Sequence, residues 1–321
     1  MATSGHALSG SATAKRPSRS LESSSPRYGE KAIVALLAFC ALVSVLTTAG
    51  IVISLVGPTI EFFQTISLGE FFLTTDWAPT FEPASFGVIP IVVATLHVTF
   101  WALLVAIPFG LGAAIFLSEY AAPRTRQVLK PILEVLEGIP TIVYGFFAIT
   151  FVTPLLQDIW FLPGEPPGQP FSVLSAGLVM GILILPTVAT VSDDAMVSVP
   201  ADLRQGAFAL GSSRAQVATR VVVPSALSGI GASFVLGFSR AIGETIIVLL
   251  AAGLIAQLTL DPREGAQTMT AFIAATGSGD IATGTITYKT IFAVGSLLFV
   301  ITFVVNAISI RLVRRYRQVY E

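Results

Sequence analysis

The stretch Gln205-Gly206-Ala207-Phe208-Ala209-Leu210-Gly211, Ser212-Ser213-Arg214-Ala215-Gln216-Val217-Ala218-Thr219-Arg220, Val221-Val222-Val223-Pro224 is a polar, helix-forming island between two long apolar segments. Asp202 is placed to cap a helix start, with Gln205 three residues on in a capping-box pattern. Gly211 is placed to end that helix in a left-handed turn. Ser213 and Gln216 repeat the capping pattern, so a second short helix is predicted. Pro224 then constrains entry into the next apolar segment. Two short helices joined at a glycine can protrude from a membrane and fit a groove in a partner. The bland alternative is an ordinary amphipathic loop between membrane helices.

The surroundings of the island are apolar throughout. The chain is 54% hydrophobic and 12% charged, where a soluble domain carries about 25% charged residues. Mean hydropathy is +0.82. This composition belongs to an all-α polytopic membrane protein, embedded in a lipid bilayer. The formal net charge of −1 says little by itself, and no nucleic-acid partner is expected. Cys40 is the one cysteine, which excludes an intrachain disulfide and a cysteine metal cluster. It reads as a small lipid- or core-facing residue.

A membrane span takes about 20 apolar residues. Six such segments are predicted: Ala32–Val56, Val88–Leu117, Ile132–Leu156, Val173–Val191, Leu227–Ile255 and Thr290–Leu312. Residues 1–30 are rich in Ser, Ala and Gly with several basic residues, and read as a disordered tail. A cleaved signal peptide is not expected, because the first apolar run is too long for one. Basic residues cluster in this tail, at Arg124, Arg126 and Lys130, at Arg204, Arg214 and Arg220, and beyond Arg311. By the positive-inside rule both termini and the island are cytoplasmic. The organisation expected is a tail over residues 1–30, a first span and outer connection over 31–86, a core over 87–312 containing a cytoplasmic loop over 193–226, and a second tail over 313–321. The first outer connections hold Pro58, Trp77, Pro79, Pro83, Trp160 and the acidic Glu61, Glu70, Asp76 and Glu82. They read as a solvated face with interfacial tryptophans, or as a docking surface for an external partner.

The fifth segment contains Gly237-Phe238-Ser239-Arg240-Ala241-Ile242-Gly243-Glu244-Thr245. In a continuous helix Arg240 would lie about 20 Å beyond Leu227, near mid-bilayer, where Arg costs about 3 kcal/mol on a lenient scale. Glu244, four residues on, would share its helix face. The two are either a mutually neutralising pair that aids assembly or the charge of an anion pathway. In the second case Arg240 offers a fork of donors to a tetrahedral oxyanion, and Glu244 holds that fork in place. Gly229, Ser233, Gly237, Ala241 and Thr245 recur every four residues as a ridge for close helix packing, against this chain or a second subunit. His97 reads as a packing residue, and Glu134 and Glu137 as carboxylates reaching the cytoplasmic interface.

Several stretches resemble a known family. Permeases of bacterial ABC importers carry Glu-Ala-Ala, three residues, Gly, nine residues and Ile-x-Leu-Pro. Ala207, Gly211, Val221, Val223 and Pro224 match at that spacing, while Gln205 and Gly206 replace the Glu-Ala. Leu136-Glu137-Gly138-Ile139-Pro140-Thr141-Ile142-Val143-Tyr144-Gly145-Phe146-Phe147 and the run Arg240-Ala241-Ile242-Gly243-Glu244-Thr245 are similar to phosphate-specific permeases of the PstC type. The resemblance implies a type I ABC importer permease fold in the bacterial inner membrane. It implies a second homologous permease subunit, two ATP-binding cassette ATPase subunits docked on the Gln205–Pro224 island, and an external phosphate-binding protein. It also implies that Arg240 and Glu244 matter for transport.

The chain itself has no phosphate loop: Gly279 and Gly284 have the spacing, but Thr285 stands where Lys is required. ATP is therefore expected in partner subunits, with no cofactor, metal or catalytic residue in this chain. Gly277-Ser278-Gly279-Asp280 resembles an intramembrane aspartyl protease motif, but that chemistry needs a second membrane-embedded aspartate. Two alternatives remain to a phosphate permease. One is the same assembly carrying sulfate or molybdate. The other is an ATP-independent anion transporter or channel, which leaves the island unexplained.

Overall fold

The computed structural model describes residues 28–160 and 164–316, with side chains as far as Arg311. Of the tail expected over residues 1–30, residues 1–27 lie outside the described residues and 28–30 already belong to the first helix; residues 317–321 also lie outside the described residues. The chain divides into two units, one ending at Ile51 and one beginning at Val52.

The first unit is described by the early turns of α1 (Tyr28–Thr65), which are apolar and exposed on every side, Cys40 included. Such a surface suits lipid. α1 is 38 residues long and runs past the expected Val56, so Pro58 and Glu61 sit in helix rather than in an outer connection. In the second unit, α2 (Leu68–Leu73) is capped by Ser67, whose hydroxyl accepts from Glu70 N. The two-residue strands β1 (Trp77–Ala78) and β2 (Ser85–Phe86) pair antiparallel.

α3 (Ile89–Ile115) continues through a π-helical turn, Phe116–Tyr120. α4 (Pro123–Glu137) then stands apart from α5 (Thr141–Phe147), which runs through the π turn Ala148–Val152 into α6 (Thr153–Asp158). The expected span Ile132–Leu156 is thus corrected to Thr141–Asp158. The break falls at Gly138-Ile139-Pro140, where proline lacks the N–H that would continue the ladder and constrains the residue before it. α4 is instead amphipathic. Arg124, Arg126, Lys130, Glu134 and Glu137 alternate with the exposed apolar Val128, Ile132 and Val135, the pattern of a helix lying at an interface.

α7 (Val173–Val197) is the central helix, with 72% of its apolar window buried. Its glycines bring α3 close. A Cβ added at Gly177 would lie 2.5 Å from Trp101 Cβ, and one at Gly181 would lie 2.8 Å from the Ala102 carbonyl oxygen. Small residues here let the two backbones approach as membrane helices do.

Three short helices follow: α8 (Ala201–Ala209), α9 (Arg214–Val217) with its π turn Ala218–Val222, and α10 (Val223–Ser225). The axis from Arg214 to Ser225 meets α11 (Leu227–Gly243) at 72°. The expected continuous segment Leu227–Ile255 is broken at Glu244 and Thr245, before α12 (Ile246–Ala251). α13 (Met269–Gly277) and the long α14 (Ile286–Tyr316) complete the described chain. Among the described residues, five helices are long and apolar enough to cross a membrane, or six if the bent pair ending in α11 is one span.

An aromatic cluster occupies the end of the bundle formed by the first connection. Phe62, Phe71, Phe86 and Trp77 pack with Ile91, Met269, Phe272 and Val294. Trp77 is buried with its ring 4.8 Å from that of Phe272, so it is a core residue rather than an interfacial anchor. Glu61, expected on a solvated face, pairs with Lys289 at 2.8 Å.

Candidate substrate path and coupling surface

Arg240 lies near the C-terminal end of α11, and its partner is not the one that helical spacing suggests. Its Nη1 donates to Glu137 Oε1 at 2.6 Å and to Thr187 Oγ1 at 3.3 Å. Thr187 Oγ1 in turn donates to the same Glu137 oxygen at 3.0 Å. Three elements therefore meet: α11, the last residue of α4, and the middle of α7. The Arg240 and Glu137 side chains are 32% and 38% exposed, so the pair lines an open face of the chain rather than a sealed core. A charge pair beside the middle of an apolar helix such as α7 needs such a wet or partner-covered face.

Glu244 turns away from Arg240. α11 ends at Gly243, and Glu244 adopts extended backbone with ψ 131°. Its Oε1 accepts from Ile246 N at 3.0 Å and Ile247 N at 3.3 Å, capping the start of α12 where a carboxylate is favourable. Its carbonyl accepts from Thr270 Oγ1 at 2.7 Å. The expectation that Glu244 shares a face with Arg240 and holds its fork is therefore corrected. Four-residue spacing aligns side chains only along an unbroken helix.

The small residues of α11 face α7 of the same chain. A Cβ at Gly229 would lie 2.3 Å from Ala195 Cβ, and one at Gly237 would lie 3.1 Å from Ile184 Cγ2. Ser233 and Ser192 share a hydrogen bond of 2.8 Å, and Ala241 is buried. Thr245 lies beyond the helix break and leaves the ridge. On another side of α11, Ser239 Oγ donates to Asn306 Oδ1 at 2.6 Å.

The island folds as two short helices around a glycine. Pro200, not Asp202, occupies the cap of α8, and Asp202 sits in the first turn, where a carboxylate still favours the helix dipole. Gly211 has φ +84°. Ser213 and Gln216 form a complete capping box, with Gln216 N donating to Ser213 Oγ and Ser213 N to Gln216 Oε1. Val217 and Val222 are buried against Ala114, Met196, Ala226 and Ile230, with Ala207 and Val223 packed alongside. Gln205, Gly206, Gly211 and Pro224 are exposed, Val221 is half-buried, and Leu210 is 90% exposed. An apolar tip held out by a folded base is the shape a groove can grip.

What holds that base was not visible from spacing. Arg204 donates to Glu119 Oε1 through Nε at 3.2 Å and Nη2 at 3.0 Å. The same guanidinium donates to the carbonyls of Met196 at 2.7 Å and Val199 at 2.6 Å, adding a charged donor to carbonyls at and just past the end of α7, where cations are favourable. Nearby, Arg126 pairs with the fully buried Asp193 carboxylate at 2.6 Å, and Lys130 pairs with Asp194 at 2.7 Å. The Asp194 carboxylate accepts a hydrogen bond from the Lys130 ammonium and holds its pKa above the ordinary lysine value, against the opposing effect of burial. α4 is thus tied at one end to the last turns of α7 and at the other to Arg240.

His97 accepts from Trp101 Nε1 at 3.1 Å. Arg263 Nε donates to both Asp261 oxygens, at 2.8 and 2.9 Å, and these bonds hold the Asp261 carboxyl below the usual aspartate pKa although burial acts against them.

The family model for the binding-protein-dependent transport system inner membrane component matches residues 106–318. The chain belongs to this family. The permease is 34% identical over 266 residues to the probable ABC transporter permease protein YqgH of Bacillus subtilis, covering 82% of this chain and 84% of that one. It is 33% identical over 293 residues to the phosphate transport system permease protein PstC of Pasteurella multocida, covering 86% and 89%. A probable PstC from Methanocaldococcus jannaschii is 30% identical over 262 residues, covering 78% and 82%. Among solved structures, the permease resembles a chain of a bacterial ABC transporter involved in import of the acidic polysaccharide alginate, with TM-score 0.63 and 17% identity over 91% of this chain and all of that one. An inward-facing MetNI methionine ABC transporter chain gives TM-score 0.52 and 17% identity over 72% and 95%. The architecture is that of type I ABC importer permeases, and the protein is a multi-pass inner-membrane transport component.

Proposed function

We propose that this permease is the membrane subunit of an ATP-driven importer of inorganic phosphate, itself without catalytic activity. The observation that carries this reading is the Arg240 guanidinium on an open face beside the middle of α7, in a chain whose relatives include PstC phosphate permeases along most of their length. Arg presents a planar fork that matches a tetrahedral oxyanion. A second, homologous permease faces Arg240 across the path. Two ATPase subunits bind ATP and grip the island through Gln205, Gly206, Ala207, Gly211, Val221, Val223 and Pro224. An external phosphate-binding protein delivers the substrate. Both termini and the loop over residues 193–226 are cytoplasmic in this reading, by the positive-inside rule, and the permease core spans residues 87–312.

The geometry supplies a mechanism. ATPase closure pushes the island, and Arg204 carries that push to the ends of α3 and α7 through Glu119 and the Met196 and Val199 carbonyls. α7 moves with α4 through Asp193 and Asp194, and with α11 through the close contacts at Gly229 and Ser233. Glu244 orders the α11–α12 break beside the path rather than holding Arg240.

Labelled-phosphate uptake by cells expressing the permease with its partners tests the proposal. Uptake that needs the ATPase, ignores excess sulfate and disappears in Arg240→Gln, with the variant still in the membrane, is the expected result. Uptake without any ATPase, or competition by sulfate, would defeat it.

A further inference from the structure

We infer that Glu137 is the residue that reads the proton on the substrate, and so separates phosphate from fully deprotonated anions within the membrane path. This inference rests on the phosphate reading of Arg240 and deepens it.

Arg240 has five N–H donors, and among the described residues only Nη1 is engaged, by Glu137 and Thr187. Nε and Nη2 remain to receive a ligand. Glu137 uses Oε1 for both its bonds, from Arg240 Nη1 and the Thr187 hydroxyl. Its Oε2 has no partner among the described residues. Tyr144, also near Arg240, commits its hydroxyl to the Leu136 carbonyl at 2.9 Å. The open face therefore presents two kinds of group side by side, guanidinium donors and one carboxylate acceptor.

A ligand that satisfies both must accept from Arg240 and donate to Glu137. Inorganic phosphate keeps a proton at neutral pH, so one oxygen donates O–H to Glu137 while others accept from Arg240. Sulfate keeps none, and would set an oxygen lone pair against a carboxylate. A site built to hydrogen-bond a hydroxyl rejects an analogue lacking it strongly, because its own polar group is left unpaired, and an unfavourable contact against the wrong ligand is how specificity is made. The position of Glu137 is not accidental to α4. A carboxylate at the last residue of a helix faces the negative end of the dipole, and here Arg240 and Thr187 hold it there.

Phosphorus NMR line broadening of inorganic phosphate by the transporter, purified with its ATPases and without the external binding protein, tests this. In the native transporter arsenate, which also keeps a proton, should sharpen the line at concentrations near that of phosphate, while sulfate should need at least about tenfold more. Glu137→Gln should bring sulfate to within about threefold of arsenate, and Glu137→Asp should restore part of the difference. An assembled Glu137→Gln transporter that keeps the native preference overturns the inference. If Glu137→Gln does not assemble, Thr187→Val, which frees the carboxylate to turn, should reduce the preference; full preference in both Thr187→Val and Glu137→Asp also overturns it. Broadening that is absent in the native transporter, or unchanged by Arg240→Gln, removes Arg240 from the phosphate path, and the role of Glu137 falls with it.

Discussion

Arg204 Nη2 lies 3.0 Å from Glu119 Oε1, joining the island to the end of α3 across 85 residues of sequence. The two side chains are only 20% and 9% exposed. Breaking one partner of a largely buried, hydrogen-bonded ion pair leaves the other charge stranded. Arg204→Met should therefore cost about 2 kcal/mol of stability, and Glu119→Gln somewhat less, since Gln keeps an acceptor. Both should raise the ratio of ATP hydrolysed to phosphate transported. Thermal unfolding and coupled uptake measure the two effects, and a double-mutant cycle should show non-additivity. Additive losses would mean the pair carries no coupling.

Gly211 has φ +84° and no atom within 4 Å of an added Cβ. Any penalty of substitution is thus backbone strain rather than collision. Gly211→Ala should cost about 1 kcal/mol, and Gly211→Val at least as much. The effect should appear as ATP hydrolysis detached from uptake, because the strain tilts α8 against α9. Normal coupling in Gly211→Val would remove this turn from the docking surface.

Glu244 caps α12 and does not touch Arg240. Glu244→Gln retains an acceptor and should lose only about 0.3–1 kcal/mol of helix-dipole interaction. Its uptake should fall far less than that of Arg240→Gln. Equal loss in the two variants would show that Glu244 swings to the anion in another state.

The Lys130 ammonium is held above its ordinary pKa mainly by its hydrogen bond to Asp194. A lysine whose folded pKa is raised contributes stability fully present below the unfolded value, about 10.4, and lost as pH rises through the folded value. Detergent-solubilised protein should lose stability in that alkaline window, and Lys130→Met should flatten that part of the profile. An unchanged slope in Lys130→Met would place the alkaline loss elsewhere.

Local patterns were legible where neighbours in sequence decide the structure. The capping box at Ser213 and Gln216 and the left-handed Gly211 form as their spacing predicts, because both involve only bonds within one turn. Apolar runs marked most membrane helices, since lipid forces the backbone to satisfy itself. The same reasoning failed at Gly138-Ile139-Pro140 and at Glu244, where apolar composition continues through a helix break. Hydropathy counts residues and does not see a missing N–H or an extended ψ.

By itself, then, the amino-acid sequence determined the class of this protein: a helical membrane permease with a folded island between α7 and α11. Those properties follow from composition, hydrogen-bonding geometry and turn chemistry, which act over a few residues. Only the tertiary structure decided which charges meet. Glu137 and Arg240 are 103 positions apart and Arg204 and Glu119 are 85, and no periodicity links residues on different helices. Their pairing depends on how closely α3, α4 and α11 pack against α7, and glycines at Gly177, Gly181 and Gly229 set that distance.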